Sequence, residues 1–130
     1  MAEKKTMKFS ELKEGEILSA VSYEIADEKI EEYKRIFGNS SEGLPPFVSC
    51  LYAMKCLLEK YSIQPGTIHA FQEVELKKEI PLGERFFRSY GVVKEKFNKR
   101  GKNYAVFEIT TEDSRGIIVH KMKLGFVIPE

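Results

Sequence analysis

The sequence predicts an α+β fold: a single domain in which a curved antiparallel β-sheet wraps around one long central helix. Three observations predict it. Residues 43–61 carry the most apolar helical pattern in the chain, and four strand-like runs separated by turn residues follow it. The chain has 130 residues with 42% hydrophobic and 32% charged content, which suits one domain with one core and argues against disorder.

The central helix is read from Pro46 to Tyr61. Pro45 and Pro46 open it, since a proline at the first helical position gives up an N–H that would have no partner anyway. Phe47, Cys50, Leu51, Met54, Leu57, Leu58 and Tyr61 follow at helical spacing. At about 100° per residue they share an arc of roughly 120°. Ser49, Tyr52, Lys55, Cys56, Glu59 and Lys60 fall on the other side.

Ahead of this helix, residues 1–8 read as a solvated leader and residues 9–130 as the domain. Ile17 to Ile25 alternates as a strand, with Ile17, Ser19, Val21, Tyr23 and Ile25 on one face. Asp27 is placed to cap a helix from Glu28 to Phe37, whose buried stripe is Ile30, Tyr33, Ile36 and Phe37. Gly38 is placed to stop it.

Behind the central helix, Pro65 and Gly66 turn the chain. Ile68 to Lys78 alternates with Ile68, Ala70, Val74 and Leu76 on one face and His69, Glu73, Glu75 and Lys77 on the other. Arg85 to Phe97, Tyr104 to Thr111 and Ile117 to Ile128 follow, turned at Asn98–Lys102 and Asp113–Gly116, and the four strands together read as an antiparallel meander with hairpin connections. There is no internal repeat, low-complexity tract or linker.

The bulk numbers exclude several functions. Net charge is +1, from 21 Lys+Arg against 20 Asp+Glu, so no overall field draws nucleic acid or an anionic membrane. No apolar run approaches the roughly 18 residues that would span a bilayer, and the first residues lack a signal-peptide core. A cytoplasmic location is expected. Cys50 and Cys56 are the two cysteines, about 240° apart around one helix and unable to bridge each other there. They read as reduced thiols, with Cys50 the better placed for reactivity because it lies near a helix N-terminus. No His/Cys/Asp cluster has metal spacing.

Three segments together resemble one family. They are Tyr33-Lys34-Arg35-Ile36-Phe37-Gly38-Asn39, then Pro45-Pro46-Phe47, and then Ile68 to Glu84, where a His-x-x-Gln-Glu run leads into Pro81-Leu82-Gly83-Glu84. In that order they are similar to the N-terminal-type domains of MaoC-like dehydratases, which have the hot-dog fold. The likeness covers roughly residues 9 to 128. Glu84 stands where the family turn carries Asp.

The resemblance implies hydration of enoyl thioesters, or dehydration of 3-hydroxyacyl thioesters, with coenzyme A or an acyl carrier protein as substrate carrier and no other cofactor. Such chemistry needs a positioned acid and base. Active members carry a Gly-Asp-x-Asn-x-x-His pattern before the helix. Here the Asp position is Asn39, and no histidine occurs between Met1 and Ile68. Glu42 is the one carboxylate of that loop and His69 the nearest later histidine, so Asn39, Glu42 and His69 are the catalytic candidates.

The backbone N–H groups of Phe47 and Val48, with Cys50 close by, are the candidates for holding the thioester oxygen at the helix N-terminus. Lys99 and Arg100, in a hairpin with Lys94, Lys96 and Lys102, could hold carrier phosphates or an acidic carrier protein. His120 reads as a core or interface histidine.

Three functions follow: a subunit that acts with a catalytic partner, an independent thioesterase or hydratase using other residues, and a non-enzymatic acyl-CoA binding module. Partners are expected to be an acyl thioester and a second hot-dog subunit, identical or different. Nucleic acid and membrane insertion are not expected.

Overall fold

A computed structural model describes residues 4–37, 46–81 and 83–129. Its elements are β1 (Lys5–Thr6), a 3-10 turn (Phe9–Glu11), β2 (Val21–Glu24), α1 (Asp27–Phe37), α2 (Pro46–Ala53), α3 (Lys55–Leu58), β3 (Tyr61–Ser62), β4 (Ile68–Leu76), β5 (Phe86–Lys99), β6 (Lys102–Asp113) and β7 (Ile118–Ile128). Five of these strands make one antiparallel sheet in the order β2-β5-β6-β7-β4. The fold is thus the α+β sheet-on-helix domain the sequence predicts. Among the described residues no helix is long and apolar enough to cross a membrane.

Alternation along β6 and β7 makes the inner face. Ala105, Phe107 and Ile109 pair with Phe126, Leu124 and Met122. Residues directly opposite in an antiparallel pair point to the same face. These residues are buried and pack against Cys50, Ala53, Cys56 and Leu57 of α2 and α3. A second cluster joins Val48 to Ile25, Ile30, Ile80, Phe87 and Val119.

The central helix is two successive segments with Met54 between them in a right-handed helical conformation (φ −57°, ψ −21°). It ends at Leu58, and Tyr61 belongs to β3 rather than to the helix. Its buried face is also rotated from the one counted on aliphatic residues. Ser49 and Cys56 point into the core, while Leu51 and Leu58 are exposed. Small residues let the helix lie close to a sheet already filled by Phe107, Met122 and Leu124.

Other expectations are corrected in the same way. Lys5, Thr6 and Met7 are docked, where the sequence predicts a solvated leader. Lys5 and Thr6 pair parallel with Tyr61 and Ser62, Met7 N–H donates to Ser62 O at 2.9 Å, and the Met7 side chain is fully buried. The Ile17–Ile25 strand is reduced to β2 plus a single Ile17–Val92 bridge, with Ile17 exposed and Leu18 buried. Asp27 lies within α1, where its carboxylate accepts from Arg85 Nε at 2.9 Å and ties the helix start to the chain entering β5. Ile36 is exposed rather than part of the α1 stripe.

β4 is not part of a meander. It crosses to the far edge and pairs with β7, the last strand, so only β5, β6 and β7 follow hairpin order. Its register slips between His69 and Phe71. Beyond the bulge the expected faces hold, with Val74 and Leu76 opposite Met122 and His120; before it they are exchanged, so that His69 joins Gln72, Val74 and Leu76 opposite the inner-face residues Phe126, Leu124, Met122 and His120. Ile68, Phe71, Glu73 and Glu75 take the outer face. Phe71 lies over Gly125, where an added Cβ would fall 2.0 Å from its ring.

Gly91 marks a second close approach. A Cβ there would meet the backbone oxygen of Glu108 at 2.6 Å and the Leu18 and Ile109 side chains at 3.1 Å. Gly91→Ala is therefore expected to cost about 1–3 kcal/mol. Gly83→Ala, with nothing within 4 Å of the new methyl group, should stay within about 0.5 kcal/mol of the parent. Urea denaturation of both variants checks the pair.

Candidate functional site

The first turn of α2 opens onto a groove between α1 and α2. Its volume is about 590 Å³, and it is lined by Lys29, Glu32, Tyr33, Ile36, Val48, Leu51, Tyr52 and Lys55. Ile36 and Leu51 expose 66% and 58% of their surface, so the groove presents apolar walls to solvent. Lys29 and Glu32 pair along its rim at 3.8 Å, and Lys55 sits 5.4 Å from the centre of the Tyr52 ring. An aliphatic chain fits such a lining.

Beneath the groove lies a buried polar network. The Tyr52 ring stacks on Tyr23 at 5.1 Å and 12°. Tyr23 OH lies 2.9 Å from Ser89 Oγ and donates at 3.4 Å to Ser49 O. Ser89 Oγ lies 2.7 Å from Thr111 Oγ1. Ser49 Oγ meets His120 Nε2 at 2.6 Å, both side chains being fully buried. His120 Nδ1 has no partner among the described residues. Burial pushes the His120 pKa down to about 4, so the ring is neutral at pH 7. A neutral ring can accept the Ser49 proton at Nε2 while carrying its own on Nδ1. Burial likewise raises the Tyr23 pKa, which keeps its hydroxyl a donor.

Ser49 was missed in the sequence because it falls among polar residues on the helix face counted as outward. The signal available was spacing: Ser49, Ala53 and Cys56 repeat small residues at helical intervals.

The residues singled out from sequence are distributed as follows. Asn39 and Glu42, and the side chain of Phe47, lie outside the described residues. Val48 is buried and lines the groove. Cys50 and Cys56 face the core, and burial raises both thiols to about 11, so neither is a thiolate at pH 7. His69 is exposed and stacks on Phe126 at 4.8 Å. It sits at the β4 end remote from Ser49, because His120 pairs with Leu76 at the other end of that strand. The separation along β7 is about 20 Å at about 3.3 Å per residue. Lys99 and Arg100 lie at the β5–β6 turn, away from the groove. Among the described residues no group of three or more His, Cys, Asp or Glu is placed to hold a metal ion.

A curved five-stranded antiparallel sheet wrapped on a central helix, with a groove at the helix start, defines a hot-dog domain. Solved structures of the same fold include MaoC-like proteins. The unliganded R-hydratase PhaJ1 of Pseudomonas aeruginosa matches with TM-score 0.74 at 15% identity, over 98% of this chain and 88% of that one. A MaoC-like dehydratase of Rhodospirillum rubrum matches with TM-score 0.73 at 13% identity, over 92% and 94%. The HadBC (3R-hydroxyacyl-ACP dehydratase) complex of Mycobacterium tuberculosis matches with TM-score 0.68 at 14% identity, over 88% and 96%. At these identities the likeness is one of fold. No protein-family model and no curated protein matches the sequence.

The buried ring gives a pH signature. The unfolded chain binds a proton on His120 near the ordinary value of 6.5, whereas the folded protein resists it down to about 4. Between these values the unfolded state holds more protons, so stability falls as pH falls, by about 3 kcal/mol in total. His120→Gln keeps an acceptor for Ser49 and does not titrate. Its stability between pH 6.5 and 4.5 should be flatter than the parent's in urea titrations.

Proposed function

We propose that this chain is an acyl-thioester-handling hot-dog subunit of the hydratase or dehydratase type. The acyl chain lies in the α1–α2 groove, and the thioester group lies at the start of α2. A second hot-dog subunit seated on β4 supplies the catalytic Asp and His. Coenzyme A or an acyl carrier protein is the carrier, and the setting is cytoplasmic.

The observation that carries this reading is β4. It is a nine-residue edge strand exposed along its whole length. Ile68, Phe71, Val74 and Leu76 expose 57%, 38%, 44% and 50% of their surfaces. A long apolar edge left unpaired is an aggregation site, and pairing it with another strand removes that hazard. Its charges do not oppose an incoming strand of either sign: Glu73 and Glu75 pair across to Lys123 and Lys121, and Lys77 reaches Glu75 at 2.6 Å. Sequence supplies the second half of the argument, since neither histidine of the chain lies before position 69. The MaoC-type acid–base pair must then come from outside this chain.

The test is enoyl-CoA hydration by the purified chain alone, and after co-expression with a hot-dog protein that carries the Gly-Asp-x-Asn-x-x-His loop. Turnover is expected in the mixture alone, with a heteromer in light scattering. Turnover by the isolated chain overturns the division of labour. Tight acyl-CoA binding with no partner and no turnover would instead make it a binding module. Val74→Lys on β4 is expected to weaken the complex by at least about a hundredfold through an unpaired buried charge, while leaving the melting temperature of the free subunit nearly unchanged.

A further inference from the structure

The tip of the β5–β6 hairpin is built against its own stability. Lys99 and Lys102 close the turn directly opposite one another, a like-charge pair that opposes strand pairing. Both central residues have positive φ, Arg100 at 53° and Gly101 at 78°. That is the two-residue turn a hairpin prefers, but its first position suits Asn or Gly and here carries Arg. Among the described residues none of Lys99, Arg100 and Lys102 has a carboxylate partner. Further down the same strands the cations are paired: Lys94 with Glu108 at 3.2 Å and Arg88 with Glu112 at 3.6 Å.

Aromatic rings stand beside these charges. Phe97 and Tyr104 pair across the strands and stack at 5.1 Å and 10°. Phe71 completes the wall, brought close by the absence of a side chain at Gly125. A cavity of about 400 Å³ is lined by Phe71, Phe97, Tyr104, Lys99, Arg100 and Lys102. It lies on the outer face of the sheet. Phe97, Tyr104, Val127 and Ile68 form one cross-strand row there, while the neighbouring Ala105 and Phe126 point inward. The cavity is therefore separate from the groove at α2.

We propose that this cavity binds a nucleotide, with the base against the aromatic rings and the phosphates on Lys99, Arg100 and Lys102. Stacking supplies affinity with little regard to the base, and the Arg fork suits phosphate oxygens. A bound anion also offsets the Lys99–Lys102 repulsion. A mononucleotide fits better than a polymer. Glu73, Glu75 and Glu108 line the neighbouring cavity on the same face, with Lys121 and Lys123, and break any continuous basic track. The same chemistry is offered by a free nucleotide and by the nucleotide end of coenzyme A.

Calorimetric titration of the full chain tests this with adenosine 3′,5′-bisphosphate, coenzyme A, pantetheine, inorganic phosphate and a short single-stranded RNA. The bisphosphate is expected to bind at least about tenfold more tightly than phosphate or pantetheine, and to lose about tenfold in the Tyr104→Ala and Arg100→Gly variants. Arg100→Gly should also melt higher than the parent, because glycine relieves the positive φ, so lost binding cannot be ascribed to misfolding. Coenzyme A binding more tightly than the bisphosphate identifies the coenzyme as the source, and equal affinity identifies a free nucleotide; either result supports the site. The proposal is overturned if the bisphosphate binds no better than phosphate, if Arg100→Gly binds like the parent, or if the RNA binds more tightly than the bisphosphate.

Discussion

The hydrogen bond between Ser49 and His120 fixes how the helix sits on the sheet. A helix resting on apolar residues alone can rotate by a fraction of a turn at modest cost. A buried hydroxyl and a buried imidazole cannot, because separating them strands two polar groups in the core, each costing about 1–3 kcal/mol. With Ser49 held over β7, Cys50, Ala53, Cys56 and Leu57 must face inward. Leu51 and Tyr52 must then face α1, where they form the groove. The apolar surface offered to a ligand is in this sense a consequence of one polar contact.

A second polar contact does the same for the other end of the helix. Glu16 receives Tyr61 OH at 2.5 Å and Lys60 Nζ at 2.9 Å, and Lys60 also donates to Ile17 O at 2.5 Å. Burial works against ionisation of Glu16, but the Tyr61 and Lys60 contacts outweigh it and hold its pKa low. Burial and the neighbouring Glu16 carboxylate keep Tyr61 protonated. The segment before β2 is thereby fastened to the end of the helix.

How much of this was legible in the sequence depended on whether the signal was local. Strands β6 and β7 were readable because both are long and alternate cleanly against one apolar partner. α1 was readable from its charge order and from the period of Ile30 and Tyr33. The helix rotation was not, because the spacing of large aliphatic side chains points them inward whereas a crowded inner face selects Ser49, Ala53 and Cys56. Only the start of β4 departs from its expected faces, at Ile68 and His69, because a bulge at residues 69–71 leaves no mark on a period-two pattern. The place of β4 beside β7, and of Lys5 and Thr6 beside β3, are pairings across long sequence separations that no window reports. The groove could not be anticipated, since it joins residues of two helices through a rotation that the sequence left undetermined. His120 lies on the apolar face of its strand, as the alternation of β7 predicts.

The crossing of β4 also has a consequence in time. It precedes β5 in the chain but pairs only with β7, so about forty residues must be made before its neighbour exists. The β5–β6–β7 hairpins can assemble as soon as they emerge, and they offer a finished edge for β4 to join. Until then β4 carries its apolar residues on a strand with neither edge satisfied. The charges flanking and interrupting it, Glu73, Glu75, Lys77 and Lys78, act over that interval as much as in the finished domain. They keep a nascent chain soluble while its sheet is still open on that side.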